Sequence, residues 1–134
     1  MHISSFQDLL QAARAQPEPQ RLLFVFSGIE LPDDATPAQR AGFEAGEGGA
    51  IVPLMCVDKA LTELQSFSAL VAESSLLGQD WRMVFVAALV GNAGQAPSSA
   101  EAEAPLQRMV EAIQRGAHEA FIPFDRDGVP LRFG

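Results

Sequence analysis

The sequence predicts one α/β domain: a mixed sheet of about five strands flanked by helices, in the order αβαβαβαββ. The run Arg82–Val90 is almost free of polar side chains, as expected of a strand buried on both faces. Apolar residues at helical spacing alternate with such runs along the chain, which is typical of partly parallel sheets. The length of 134 residues suits a single domain with its own core.

The first helix is predicted over residues 5–15. Ser5 and Asp8 have the spacing of a capping box, and an apolar stripe at helical spacing follows them. Pro17 ends this helix, because proline has no main-chain N–H to donate. The apolar run Leu22–Phe26 then predicts a strand buried on both faces.

A second helix is predicted from Thr36, where a hydroxyl cap precedes a proline, and it is short because its apolar stripe is poor. The run Ala50–Val57 predicts a strand that contains Pro53. Since proline gives no N–H to the ladder, this strand lies at a sheet edge or carries a bulge. The longest helical stripe covers residues 60–77, and Gly78 ends it.

The stretch Gly91–Ser99 follows the central run and predicts a loop. A fourth helix is predicted from Ala102 to Arg115, with a clean apolar stripe. The last stretches, Ala120–Phe124 and Val129–Phe133, predict a β-hairpin because an Asp-Gly turn lies between them.

Composition limits the function classes. The net charge of −8 disfavours nucleic-acid partners, because an acidic surface repels phosphates. No apolar run reaches the roughly 18 residues of a membrane span, and no signal peptide is visible, so we expect a cytoplasmic protein without a membrane partner. Cys56 is the single cysteine, which agrees with a reducing compartment, and its apolar neighbours predict a buried structural thiol.

Loops after the predicted strands supply candidate ligand-binding residues. If the strands run parallel, their carboxyl ends meet at one rim, where α/β proteins bind ligands, and the last loop offers free N–H groups to an anion. The alternative is an ordinary solvated connection, because no dinucleotide or phosphate-loop motif is present and Glu101 and Glu103 would repel a phosphate. The residues predicted at this rim are Ser27, Gly28, Glu30, Asp58, Lys59, Gly91, Asn92, Gly94, Ser98 and Ser99.

Other sites are disfavoured by their surroundings. The histidines, His2 near the amino terminus and His118 at a helix end, give neither a base for Cys56 nor a zinc ligand set. The stretch Asp125–Gly128 begins like a calcium loop but lacks the further ligands, so a hairpin turn is the better interpretation. The pair Asp33-Asp34 fits a solvated turn better than an acid–base pair. The sequence therefore predicts no catalytic residue, metal or cofactor.

Aromatic residues of the predicted hairpin indicate a different kind of site. Phe121, Phe124 and Phe133 near an exposed edge would join a second chain by strand addition or by packing. The alternative is that these rings close the protein's own core. Because two-fold dimers are the commonest oligomers, we expect a homodimer or another protein partner.

Four stretches carry a resemblance to a known family: Gln20–Phe26, Leu31–Pro37, Val52–Lys59 and Ala104–Val110. They resemble a family of small bacterial proteins that often carry the label ribonucleotide reductase alpha subunit. That enzyme's radical chemistry uses several cysteines and a chain of tyrosines, whereas this chain has one cysteine and no tyrosine. The resemblance therefore implies no catalytic residue here. The order of elements is also similar to that of the SseB-type domain.

Two functions follow from these observations. The first is a non-enzymatic domain that acts by protein contact, as a homodimer or an accessory subunit. The second is a small-molecule or anion-binding protein, or an enzyme, that uses the loops after Val57 and Val90. A deep polar pocket at the rim favours the second function, and a wide apolar patch over the hairpin favours the first.

Overall fold

A computed structural model describes residues 4–31, 34–44, 50–64, 66–78, 80–117 and 119–131. Helices alternate with the strands of one open sheet, which confirms the predicted α/β class. The elements are α1 (Phe6–Arg14), β1 (Gln20–Glu30), α2 (Pro37–Glu44), β2 (Ala50–Ala60), a 3-10 turn (Leu61–Glu63), α3 (Phe67–Ser75), β3 (Met83–Val90), α4 (Ser99–Gln114) and β4 (Ile122–Phe124).

The described residues form a sheet of four strands in the order β2-β1-β3-β4, and every neighbouring pair is antiparallel. The predicted number of about five strands is therefore not confirmed, and the predicted partly parallel pairing is wrong for the described strands. β2 and β3 run in the same direction, but β1 lies between them, and β1 and β2 are antiparallel neighbours although α2 lies between them in the chain. A helix between two strands therefore determines neither their relative direction nor whether they are neighbours, and the predicted parallel pairing depended on both.

Within the described residues, the predicted carboxyl-terminal hairpin consists of one strand, β4, and a single bridge, and residues 132 and 133 of its second strand lie outside them. After β4, the main-chain N–H of Asp125 donates to Val129 at 2.9 Å, and that of Leu131 donates to Pro123 at 2.9 Å. Among the described residues, Phe124 and Pro130 form one antiparallel bridge. Pro130 stands between the two hydrogen-bonded pairs, where a main-chain N–H would point away from β4, so the missing N–H costs this pairing no hydrogen bond.

The helix predicted over residues 60–77 is shorter at its start. β2 continues to Ala60, which pairs with Arg21, and a 3-10 turn follows. α3 begins only after Ser66, whose hydroxyl accepts the N–H of Ala69 at 3.1 Å. A cap residue inside the apolar stripe therefore decides where the helix starts.

The fourth helix begins earlier than predicted, at Ser99. The Ser98 hydroxyl accepts the N–H of Glu101 at 3.1 Å, and the Glu101 carboxylate accepts the N–H of Ser98 at 3.0 Å. This reciprocal capping box satisfies two donors at the helix start. The hydrogen bonds from Ser98 also lower the pKa of the Glu101 carboxyl.

Both faces of the sheet are covered, and each carries its own cluster of buried side chains. α1 and α3 cover one face, where Phe24, Phe26 and Val84 are buried against Phe6, Leu10, Leu70 and Trp81. α4 covers the other face, where Leu23, Val25 and Phe85 are buried against Leu106, Met109 and Ile113. The predicted edge position of the strand with Pro53 is confirmed, since β2 is the outermost strand, and its register shifts opposite Phe26 and Ser27.

Candidate functional sites

Because the sheet is antiparallel, the residues predicted to share one rim lie at two opposite ends of the sheet. Because β2 and β3 both run opposite to β1, their carboxyl ends lie beside the start of β1, where Arg21 pairs with Ala60 and Leu89. Asp58 and the Gly91–Ser99 loop are therefore at one end of the sheet. Ser27, Gly28 and Glu30, from the carboxyl end of β1, lie at the opposite end, so their assignment to a common rim is wrong.

Asp58 is the centre of a side-chain cluster at the first of these ends. One of its carboxylate oxygens accepts from Nε of Arg21 at 2.5 Å, and the other accepts from the Ser99 hydroxyl at 3.1 Å. Arg21 also lies 3.5 Å from the Glu63 carboxylate, which in turn accepts the N–H of Ala60 at 2.8 Å. The sequence pattern brings Asp58 and Ser99 together as expected, but both oxygens of Asp58 already have partners within the protein. Lys59 binds Glu73 at 2.7 Å instead of joining this cluster.

The loop after β3 is also occupied by the protein's own groups. The N–H of Gly91 donates to Pro19 at 2.8 Å, and Asn92 bridges to Gln95 across a turn whose central residues have positive φ. The N–H of Gly94 donates to the Glu18 carboxylate at 2.9 Å. Glu18 thus binds one donor of the loop, and Glu101 binds the N–H of Ser98. Two donors on which the expected anion site depends are therefore engaged by carboxylates.

The aromatic residues of the predicted interface have different surroundings. Phe124 is fully buried, with its ring 5.5 Å from that of Phe6 and 6.5 Å from that of Phe67. It therefore closes the protein's own core, and its assignment to an interface is wrong. Phe121 is half-buried beside β3, and Phe133 lies outside the described residues.

The outer edge of β2 carries main-chain groups without a strand partner in the described structure. Main-chain groups of an antiparallel strand point alternately to its two sides. The N–H of Ala60 points away from β1, because it donates to the Glu63 side chain. By the same alternation, Cys56 and Asp58 also direct their main-chain groups outward. We call the segment Met55–Lys59 the β2 edge.

An exposed apolar pair lies close to the β2 edge. Leu76 and Leu77 follow α3 and are 87% and 58% exposed. Leu77 lines a shallow pocket together with Val57 of β2 and with Leu70 of α3. Leu77 thus joins this exposed apolar pair to the β2 edge. The sequence analysis missed this surface because it placed both leucines inside the predicted helix 60–77 and asked nothing about their exposure.

Cys56 is exposed on β2, so the prediction of a buried structural thiol is wrong. β2 is an edge strand and only half-buried, which explains why an apolar sequence context did not enclose this side chain. Partial burial raises the pKa of the Cys56 thiol, and the nearby Asp58 carboxylate raises it further. Both effects disfavour the thiolate, and hence nucleophilic reactivity.

A groove of about 330 Å³ lies between α1, the sheet and the segment before β4. We call it the α1 groove. Its walls and floor are mainly apolar, and two amide side chains, Gln16 and Gln20, also line it; the apolar lining residues include Leu9, Ala13, Leu22, Val86, Phe121 and Ile122. The sequence analysis missed Gln20, although its parity with Leu22, Phe24 and Phe26 places it on the inward face of β1.

Comparisons with family models, with curated proteins and with solved structures found no match to this chain. Within the described ranges, no helix combines the length and apolar character that a membrane crossing requires. The same residues contain no group of three or more metal-binding side chains.

Proposed function

We propose that the protein acts by protein–protein contact, as a homodimer that pairs through the β2 edge in the cytoplasm. The observation that carries this proposal is a combination of two features: main-chain groups at Cys56 and Asp58 that no described strand pairs with, and exposed apolar side chains beside them. Unpaired strand edges readily add another strand, and exposed apolar patches often mark contact surfaces.

A second copy fits this edge by symmetry. In a two-fold antiparallel pairing centred on Val57, Cys56 of one copy stands opposite Asp58 of the other, and their outward main-chain groups exchange hydrogen bonds. Val57 then faces its own equivalent at the short separation of a non-hydrogen-bonded pair. Edge pairing alone buries little area, and Leu76 and Leu77 add the apolar surface that a stable interface needs.

The alternative ligand site at the loops after Val57 and Val90 has less support. The polar groups of Asp58, Gly94 and Ser98 already form hydrogen bonds with partners within the chain. A ligand there would have to displace Arg21, Glu18 or Glu101, each of which makes a charge-assisted hydrogen bond.

The proposal is tested by the mass of wild type and two Cys56 variants, measured by size-exclusion chromatography with light scattering. Cys56→Pro removes an N–H that points outward, so it costs no hydrogen bond within the β1–β2 ladder. We expect wild type to be a dimer and Cys56→Pro to be a folded monomer. Cys56→Ser is the matched control, because it changes the side chain and keeps the N–H, and it should stay dimeric.

Leu77→Asp tests the apolar part of the same interface. Leu77 is 58% exposed, so this substitution should leave the fold intact and shift the mass towards monomer. A monomeric wild type at the highest soluble concentration would refute the proposal. So would a Cys56→Pro protein that remains dimeric with an unchanged circular dichroism spectrum.

A further inference from the structure

The α1 groove has the dimensions and lining of a small-molecule site. Its volume of about 330 Å³ lies within the range of ligand pockets, which are typically apolar with a few polar groups that fix orientation. α1 forms one wall through Leu9 and Ala13, and Phe121 and Ile122 stand on the opposite side. The floor is the face of β1 and β3 at Leu22 and Val86, with Gln20 at its end.

Gln20 is the polar side chain of this groove whose hydrogen-bonding groups are available to a ligand. The residue is only 8% exposed, and its side-chain amide makes no hydrogen bond with any described residue. Its amide atoms are nevertheless not among the fully buried polar atoms that lack a partner, so they are accessible from the groove that Gln20 lines. The second amide of the groove, Gln16, is exposed and donates to the carbonyl of Ala12 at 3.2 Å. Gln20 therefore lines the groove with an amide group that no described residue engages.

The groove also adjoins an unpaired part of the sheet. β4 pairs with β3 only from Val84 to Val86. The carbonyl of Pro123 points away from β3, to Leu131, so Val84 and Val86 are the β3 residues that direct main-chain groups to β4. By alternation, Ala88 directs its N–H and C=O to the same side, beyond the end of β4. Ala88 lines the groove, so polar main-chain groups adjoin its apolar wall.

We infer that the α1 groove binds a small uncharged molecule with an apolar body and a carboxamide or lactam group that pairs with Gln20. An amide presents a donor and an acceptor side by side, which complements the amide of glutamine. The described residues that line the groove include no charged side chain, so nothing there compensates an ionised ligand for lost hydration. The inference is independent of the proposed dimer, because the groove and the β2 edge lie on opposite sides of β1.

Matched small probes test this inference on the isotopically labelled full chain by nuclear magnetic resonance. Benzamide, toluene, benzoate and benzylamine share one ring and differ in the polar group. We expect benzamide to shift the side-chain NH₂ signals of Gln20 and to bind about tenfold more tightly than toluene, since one or two net hydrogen bonds are worth this factor. Benzoate and benzylamine should bind more weakly than benzamide.

Two variants separate the role of Gln20 from that of the cavity. Gln20→Leu should abolish the preference for benzamide while toluene still binds. Ala12→Phe, on the half-buried side of α1, should fill the groove and abolish binding of every probe. The inference is overturned if no probe shifts the signals of groove residues at millimolar concentration. It is equally overturned if toluene binds wild type as well as benzamide does, or if Gln20→Leu keeps the preference.

Discussion

Trp81 is the single tryptophan and connects three parts of the fold, so its replacement by phenylalanine has a calculable cost. The indole is fully buried, and its Nε1 donates to the Ser74 hydroxyl at 2.8 Å. The ring packs edge-on against Phe26 at 4.9 Å, and the Arg126 guanidinium lies 4.6 Å from its centroid. Trp81→Phe removes the hydrogen bond, shrinks the ring and weakens the cation–π contact.

The expected loss of stability is about 3 kcal/mol. The hydrogen bond contributes about 1 kcal/mol, the smaller ring and its cavity about 1.5 kcal/mol, and the weaker cation–π contact about 0.5 kcal/mol. For a domain of this size, the sum corresponds to a fall of roughly 10 °C in melting temperature. Urea unfolding followed by circular dichroism measures the change without depending on tryptophan fluorescence.

A double-mutant cycle isolates the hydrogen bond from the packing. Ser74→Ala leaves the indole N–H buried without its acceptor, and the doubly substituted protein lacks both partners. We expect a coupling energy of about 1 kcal/mol between the two positions. A loss below about 1 kcal/mol for Trp81→Phe, or a coupling indistinguishable from zero, would refute the account of Trp81 as a hydrogen-bonded core residue.

Three further predictions concern single positions. Gly91→Ala should cost more than about 3 kcal/mol in stability, because a Cβ there overlaps two main-chain oxygens, whereas Gly94→Ala meets open space and should cost about 1 kcal/mol through its positive φ. Ser27→Ala should raise stability by about 1 kcal/mol, since the buried Ser27 hydroxyl has no partner among the described residues. The Cys56 thiol should react with an aromatic disulfide more slowly than free cysteine at neutral pH, and Asp58→Asn should accelerate it by removing a cause of the raised pKa.

The outcomes that contradict these predictions are equally specific. Equal melting temperatures for the two glycine variants would mean that the main chain around Gly91 shifts at little cost to make room for a Cβ. A lower melting temperature for Ser27→Ala would mean that its hydroxyl has a partner after all. A slower reaction of Cys56 in the Asp58→Asn protein, at unchanged circular dichroism, would contradict the electrostatic cause of the raised pKa.

Capping signals that span three residues of the sequence predicted the starts of α1 and α2 well. Ser5 caps α1 by accepting the N–H of Asp8, and Thr36 caps α2 through a reciprocal pair of bonds with Gln39. These interactions span three residues, so spacing in the sequence determines them. The Ser98 and Glu101 pair has the same spacing, and applying the rule there would have found the start of α4.

Strand neighbours and exposure were not predictable in the same way. The direction and order of strands depend on contacts between distant residues, such as Leu23 with both Asp58 and Ala87. Local apolar character was the same for Val25 and for its partner Cys56, yet the first lies on a central strand and the second on an edge. The candidate sites depended on this difference, because the β2 edge and the α1 groove are created by the order of the strands.

The pairing of β1 with β2 has a consequence for what the chain tolerates. The two strands stay paired to their ends across the register shift at Phe26 and Ser27, and Glu30 pairs with Ala50, so residues 31–49 are the loop that connects two adjacent antiparallel strands. The surface of α2 within that loop is exposed from Pro37 to Ala41. Lengthening such a loop costs little free energy, because closure entropy grows only with the logarithm of its length. This segment is therefore the natural place to insert a tag or a whole domain, or to shorten the chain to a tight turn, without disturbing the sheet.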